Sequence, residues 1–110
     1  MAATLKVDTT GRILDWTADA EAMLGYSGAE AVGQSIELII PPHLRGRHHA
    51  GFGRFVQTGV SNLPEVTISP AVHKSGLIVK LQVSVRPVYD ASRNIVAVEA
   101  MMSPLPEGAG

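Results

Sequence analysis

The stretch IIPPHLRGRHHAGFGRFVQTG, residues 39–59, contains most of the side chains in this chain that are suited to ligand chemistry. Its spacing predicts a helix with one narrow apolar stripe made of Leu44, His48, Phe52 and Phe55. His48 lies near the middle of this stripe, whereas His49 points about 100 degrees further round, to the border or to solvent. The helix therefore directs one imidazole toward an apolar interior.

Two arginines, Arg47 and Arg54, fall together on the flank of the same helix. An imidazole that faces an apolar cavity can ligate iron through one ring nitrogen, while the other nitrogen needs a polar partner. An arginine at the rim suits a carboxylate through charge-assisted hydrogen bonds. A flat apolar body with a central metal and two carboxylates describes haem. It would be b-type and noncovalent, because the chain has no cysteine for attachment.

Other interpretations of the same residues stay open. A single histidine on an apolar stripe is also typical of a core histidine bonded to the backbone, and the arginines are compatible with a solvated flank. A zinc site is disfavoured, because no cysteine joins His43, His48 and His49, and adjacent histidines point apart on a helix. No carboxylate pair and no nucleophile with a neighbouring base appears, so we expect no enzymatic activity.

The composition fits one ordinary globular domain. The chain has 110 residues, of which 45% are hydrophobic and 17% charged. A net charge of -1 argues against nucleic acid or an anionic membrane as a partner. No apolar run approaches the roughly 20 residues of a membrane span, and the start lacks the pattern of a signal peptide. These features predict a soluble, cytoplasmic domain.

The elements that position these side chains follow from changes in hydrophobic period. A hairpin with a turn at residues 9–12 opens the chain, and short helical segments follow it up to Pro41 and Pro42. The long helix covers about residues 44–58 and ends at Gly59. Three strands then form a meander, with turns at residues 73–76 and 90–94. This order predicts an antiparallel α+β domain over residues 1–102, with the helices on one sheet face, and a flexible tail over residues 103–110.

The element order and its turns resemble a PAS domain. The matching features are the segment GRILDWTADAEAMLGYSGAEAVGQSIELIIPP, the helix ending RFVQTG, and the KSG hairpin before a long strand. The resemblance implies a five-stranded antiparallel sheet curled around helices, with a pocket between the long helix and the sheet. It also implies a role in sensing or in contact between proteins. Because the chain lacks cysteine, a flavin or coumaroyl adduct at a cysteine is excluded.

The long helix resembles the FixL-type haem PAS sensors in particular. That subgroup carries R-x-x-H followed by R-Y/F-x-x-T-G, and this chain matches it with Arg45, His48, Arg54, Phe55, Thr58 and Gly59. The resemblance implies that His48 is the iron ligand, that Arg54 pairs with a haem propionate, and that Phe52 and Phe55 line the pocket. The far side of the haem would be lined by Leu63, Val83 and Val85. Thr67 stands where the subgroup has an oxygen-binding arginine, which predicts weaker retention of oxygen.

The predicted function is that of a sensory input domain. It would bind haem b through His48 and respond to a diatomic gas (O2, CO or NO) or to redox state. The expected partners are a second copy of the chain in a homodimer and an output domain such as a histidine kinase. The alternative is a haem-free PAS module for dimerisation and signal relay, or for binding a small metabolite.

Overall fold

A single antiparallel sheet organises the molecule. The computed structural model describes residues 3–59 and 66–105, and the sheet has the strand order β2-β1-β5-β4-β3. The strands are β1 (Ala3–Asp8), β2 (Ile13–Trp16), β3 (Thr67–Val72), β4 (Ile78–Tyr89) and β5 (Ile95–Pro104). The first two strands are antiparallel neighbours and the last strand is central, as the sequence predicted. The five-stranded antiparallel α+β fold is thus confirmed.

The helices lie between β2 and β3 along the chain. They are α1 (Ala18–Leu24), α2 (Gly28–Ala31), two 3-10 helices (Ile36–Ile39 and Pro42–Leu44) and α3 (Arg45–Thr58). Thr17 caps α1, and Ser27 forms a full capping box with Glu30 at the start of α2. A separate 3-10 helix, Pro42–Leu44, precedes α3, because proline at its first position favours a tight helical start. The observed α3 matches the long helix predicted over about residues 44–58.

The core lies on the inner face of the sheet. Along β1, Ala3, Leu5 and Val7 are buried, whereas the residues between them are half-buried on the outer face. Each buried residue of β1 stands opposite an inward residue of β5: Met102, Ala100 and Val98. The helices cover this face with side chains such as Leu24 and Ile39, which are buried as well. The helices therefore cover the inner face in part, with Val85 of β4 left exposed on it, and the outer face is open.

Two boundaries differ from the sequence prediction. The final strand continues through Ser103 and Pro104, which pair with Gln82 and Leu81, so the predicted tail begins inside β5. The alternation of Val66 and Ile68 with polar residues predicts a third strand from Val66, whereas the strand begins at Thr67. Backbone pairing across a sheet decides these ends, and hydrophobic alternation does not report it. Within the described ranges, no helix is long and apolar enough to span a bilayer.

Candidate functional site

Helix α3 is held to the rest of the molecule by few buried side chains. Phe55 is its one buried residue, while Phe52 and Val56 are half-buried and pack against the core. The helix ends at Gly59, which adopts a left-handed conformation with φ 71° and lies against Tyr89 and the nearby Ile95. The main packing partners of α3 are β5 and the 3-10 helix that precedes it.

His48 lies on the inner side of α3, in the phase that the sequence predicted. Its ring is half-buried and stacks on Phe52, with ring centroids 6.1 Å apart and an angle of 18° between the planes. Phe52 in turn lies against the β1–β2 turn, within 3.9 Å of where a Cβ would sit on Gly11. His49, the next residue, is exposed. The two histidines therefore have different environments.

A small cavity lies beside the His48 ring. Helix α3 contributes His48, His49 and Phe52, and the facing wall consists of Thr10, Gly11, Ser35, Ile36 and Glu37. The cavity volume is about 20 Å³, which is space for about one water molecule. His48 thus faces the β1–β2 turn and the first 3-10 helix. No sequence pattern indicates this wall, because it depends on how α3 packs across the end of the sheet.

The surroundings of His48 favour a neutral imidazole. Burial lowers the pKa of His48 from its usual 6.5, nearby Glu37 acts in the opposite direction, and His49 adds to the lowering. Among residues 3–59 and 66–105, no side chain or backbone group forms a hydrogen bond with the His48 ring. A neutral imidazole with a free acceptor nitrogen has the chemistry of a metal or polar-ligand donor.

The other predicted site residues lie apart from this cavity. Arg54 is exposed at the flank of α3. Thr67 and Val83 stand directly opposite one another across β3 and β4, both half-buried, and Val85 follows on the same face of β4 with 41% of its surface exposed. None of these four residues lines the cavity beside His48. Leu63 lies outside the described residues.

The donor chemistry fits a haem iron, but the space does not. His48 supplies a neutral imidazole and Arg54 an exposed guanidinium. A pocket for a ligand of that size needs about 300 Å³ or more, far beyond the cavity of about 20 Å³ beside His48. In this arrangement of α3, a porphyrin cannot enter between His48 and the sheet. The described residues also contain no group of three acidic or histidine side chains able to hold a metal ion.

A second, open groove lies at the edge of β2. Thr10, Arg12, Gly33, Gln34 and Ser35 line it, and its volume is about 320 Å³. The Arg12 guanidinium donates to the carbonyl of Gly33 at 3.2 Å across this groove. Its wall is polar, and none of the residues predicted to bind a cofactor belongs to it.

Comparison with known proteins identifies the fold. The sequence model of the family described as PAS fold matches residues 2–105. The chain is similar to the PAS domain of a protein from Colwellia psychrerythraea, with a TM-score of 0.81 and 21% identity over 94% of this chain and 86% of that chain.

Two further solved structures resemble the chain. One is the PAS domain of the quorum-sensing receptor RpfR from Cronobacter turicensis in complex with C12:0, with a TM-score of 0.76 and 14% identity over 94% of this chain and 93% of that one. The other is a light-oxygen-voltage domain studied with a flavin analogue, with a TM-score of 0.78 and 14% identity over 97% of this chain and 79% of that one. A search of curated protein sequences gives no match.

Proposed function

This chain belongs to the PAS family, and we propose that it is a sensory input domain that binds haem b through His48. The bound haem would supply an iron that takes up a diatomic gas (O2, CO or NO) or changes redox state. The observation that carries the proposal is the His48 imidazole itself, half-buried on the inner side of α3 and kept neutral by burial. The neighbouring His49 is exposed and therefore serves as a control for His48 within the same helix.

Haem binding requires α3 to move away from the β1–β2 turn. The stacked pair of His48 and Phe52 lies over Gly11, so the movement must open this contact. Only Phe55 anchors α3 by a buried side chain, which limits the apolar area lost in such a movement. Arg54 is exposed on the helix flank and would meet the propionates, while Thr67, Val83 and Val85 would line the opposite wall.

A titration of purified protein with haem tests the proposal. We expect a Soret band that saturates at one haem per chain. His48→Ala should abolish it or leave five-coordinate, weakly held haem, whereas the matched variant His49→Ala should leave the spectrum nearly unchanged. Equal effects of the two substitutions, or no effect of either, would remove His48 as the ligand.

A second candidate is a haem-free domain that binds a small apolar metabolite or relays a signal by contact. The observation that favours it is Val85 of β4, an apolar side chain that is 41% exposed on the same face as the half-buried Val83. The similar Cronobacter turicensis domain was solved with C12:0, which makes a medium-chain fatty acid a reasonable first probe. Colourless protein that takes up no haem but releases a lipid on denaturation would favour this candidate.

The signalling context is part of the proposal. We infer that the domain forms a homodimer and passes its signal to an output domain such as a histidine kinase. PAS domains are typically sensory, non-catalytic modules, so we expect no enzymatic activity from this chain.

A further inference from the structure

The outer face of the sheet carries four charges in one line. Asp15 of β2 stands opposite Lys6 of β1, Lys6 opposite Glu99 of β5, and Glu99 opposite Arg86 of β4. We call these four residues the charge row. All of them lie on the outer face, because they alternate with inward residues such as Leu5 and Val98. The signs alternate across the sheet in the order negative, positive, negative, positive.

Only half of the charge row is paired within the chain. Arg86 donates from Nε to Glu99 Oε1 at 2.7 Å, and its Nη2 forms an ion pair with the same oxygen. In the described ranges, the Lys6 ammonium forms no hydrogen bond or ion pair. Among the described residues, the Asp15 carboxylate accepts from the backbone N–H of Trp16 alone, through Oδ1. Lys6 and the second oxygen of Asp15 are therefore available to charges outside the chain.

We propose that this face binds a second copy of the chain, related by a two-fold axis that runs along the strands between β1 and β5. Half a turn about this axis reverses the order of the charge row. Lys6 then lies over Glu99 of the second copy, and Asp15 lies over Arg86 of the second copy. Every charge meets its opposite. This deepens the homodimer part of the proposed function and is independent of haem.

The charge row also selects among possible arrangements. A two-fold axis across the strands, along the row, would place each residue over its own counterpart, so Lys6 would face Lys6 and Asp15 would face Asp15. Juxtaposed like charges oppose association. The strand-parallel axis avoids this, and it stacks β1 of one copy on β5 of the other, as in an aligned packing of two sheets.

The interface is expected to be small. Four strands and about six residues of each give a patch of about 400 Å² per copy, roughly half of the 800 Å² per partner in a standard stable interface. Within it, Met101 is 43% exposed and stands opposite Thr4 in the sheet, so the two-fold axis brings it onto Thr4 of the second copy. A weak, exchangeable and salt-sensitive dimer follows from this combination of small area and charge.

A charge exchange between two variants tests the arrangement. Lys6→Glu places two carboxylates over each other at both symmetric contacts, and Glu99→Lys places two ammonium groups there. We expect each variant alone to self-associate at least about tenfold more weakly than the wild type, equivalent to about 1.4 kcal/mol. Mixed in equal amounts, the two variants should form a heterodimer, because every facing pair is then opposite in sign. Sedimentation velocity at submillimolar concentration measures all four samples.

A second pair of variants shows whether weaker association comes from the charge change or from a folding defect. Asp15→Lys and Arg86→Glu should behave in the same way, each weak alone and associating when mixed. Lys80→Glu makes the same charge change on the outer face of β4 outside the charge row, and should not weaken the dimer. Raising salt from about 0.1 M to about 1 M shortens the Debye length from about 10 Å to about 3 Å and should dissociate the wild-type dimer.

The possible results separate the proposals. Wild-type protein that stays monomeric at low salt overturns both the charge-row interface and the homodimer. A dimer that survives all four charge reversals lies on another surface, which overturns the charge-row interface but not the homodimer. Mixtures that fail to associate, while each folded variant is monomeric, contradict the proposed axis. The haem titration is unaffected by any of these results.

Discussion

At the residue scale, His48 and His49 show what helical phase alone can predict. The spacing of apolar residues placed His48 inward and His49 at the border, and the structure agrees with both positions. The sequence did not indicate which wall His48 faces. That wall includes Thr10 and Glu37, which come from two separate segments brought together only by tertiary packing.

Burial of His48 predicts a pH-dependent stability. Because the pKa of His48 is lowered in the folded chain, the unfolded chain binds its proton more readily. The free energy of unfolding should be fully retained above the usual pKa of 6.5, fall as the pH drops below it, and level off below the folded pKa. Urea unfolding between about pH 8 and about pH 5 should show this slope in the wild type and a smaller one in His48→Gln.

In this pH range, the titration of His48 is separated from the titration of the carboxylates. Hydrogen bonds lower the pKa of Asp8, chiefly from Thr10, and that of Glu30, chiefly from Lys74. Both groups therefore stay ionised through the window, and their contributions are lost only at lower pH. An identical slope in wild type and His48→Gln would contradict the prediction.

At the element scale, the contact between α1 and the β3–β4 hairpin is tightly fitted. The Lys74 N–H donates to the carbonyl of Leu24 at 2.9 Å, and the Lys74 ammonium pairs with Glu30 at 2.5 Å. Gly25 follows Leu24 in the chain and ends α1 with φ 85°. A Cβ on Gly25 would come within 2.7 Å of the His73 ring. This glycine is needed for its backbone conformation and for its lack of a side chain.

Gly25→Ala should therefore destabilise the fold by more than conformational strain alone. The left-handed conformation costs about 1–2 kcal/mol for a residue with a Cβ, and displacement of His73 and Lys74 adds to it. Gly33→Ala is the matched control, since Gly33 has φ 91° but no atom within 4 Å of its Cβ position. Urea denaturation of both variants measures the difference. Equal losses would mean that the hairpin moves aside at no cost.

Elements whose ends depend on local chemistry were predictable. Thr17 and Ser27 cap helices, residue types that suit this position, and α3 ends at Gly59 as predicted. What the sequence does not encode locally is the pairing of distant strands, so the extension of β5 through Pro104 was missed. The same limit applies to the site, where Thr67 and Val83 are opposite each other as the fold requires, yet lie away from the His48 cavity.

At the scale of the whole molecule, the sheet has two edges, and each is protected in a different way. The edge of β2 is paired with the chain itself at its first residue, because the N–H of Ile13 donates to the carbonyl of Gln34 and the carbonyl of Ile13 accepts from the N–H of Gly33, both at 2.8 Å. The edge of β3 carries Pro70 near its middle. Proline has no N–H, so β3 cannot offer a continuous ladder to another strand. Association through an edge is therefore disfavoured, which leaves the outer face for contact between copies.

Replacing this proline should expose the edge. Pro70→Val supplies the missing N–H and a side chain that suits a strand, so we expect irreversible, concentration-dependent association that light scattering detects on prolonged incubation. Gln82→Val is the matched control, because it adds the same apolar side chain to the outer face of β4, an interior strand whose neighbours are already in place. The control should stay dispersed. If both variants aggregated equally, added apolar surface would be the cause, and Pro70 would have no protective role at the edge.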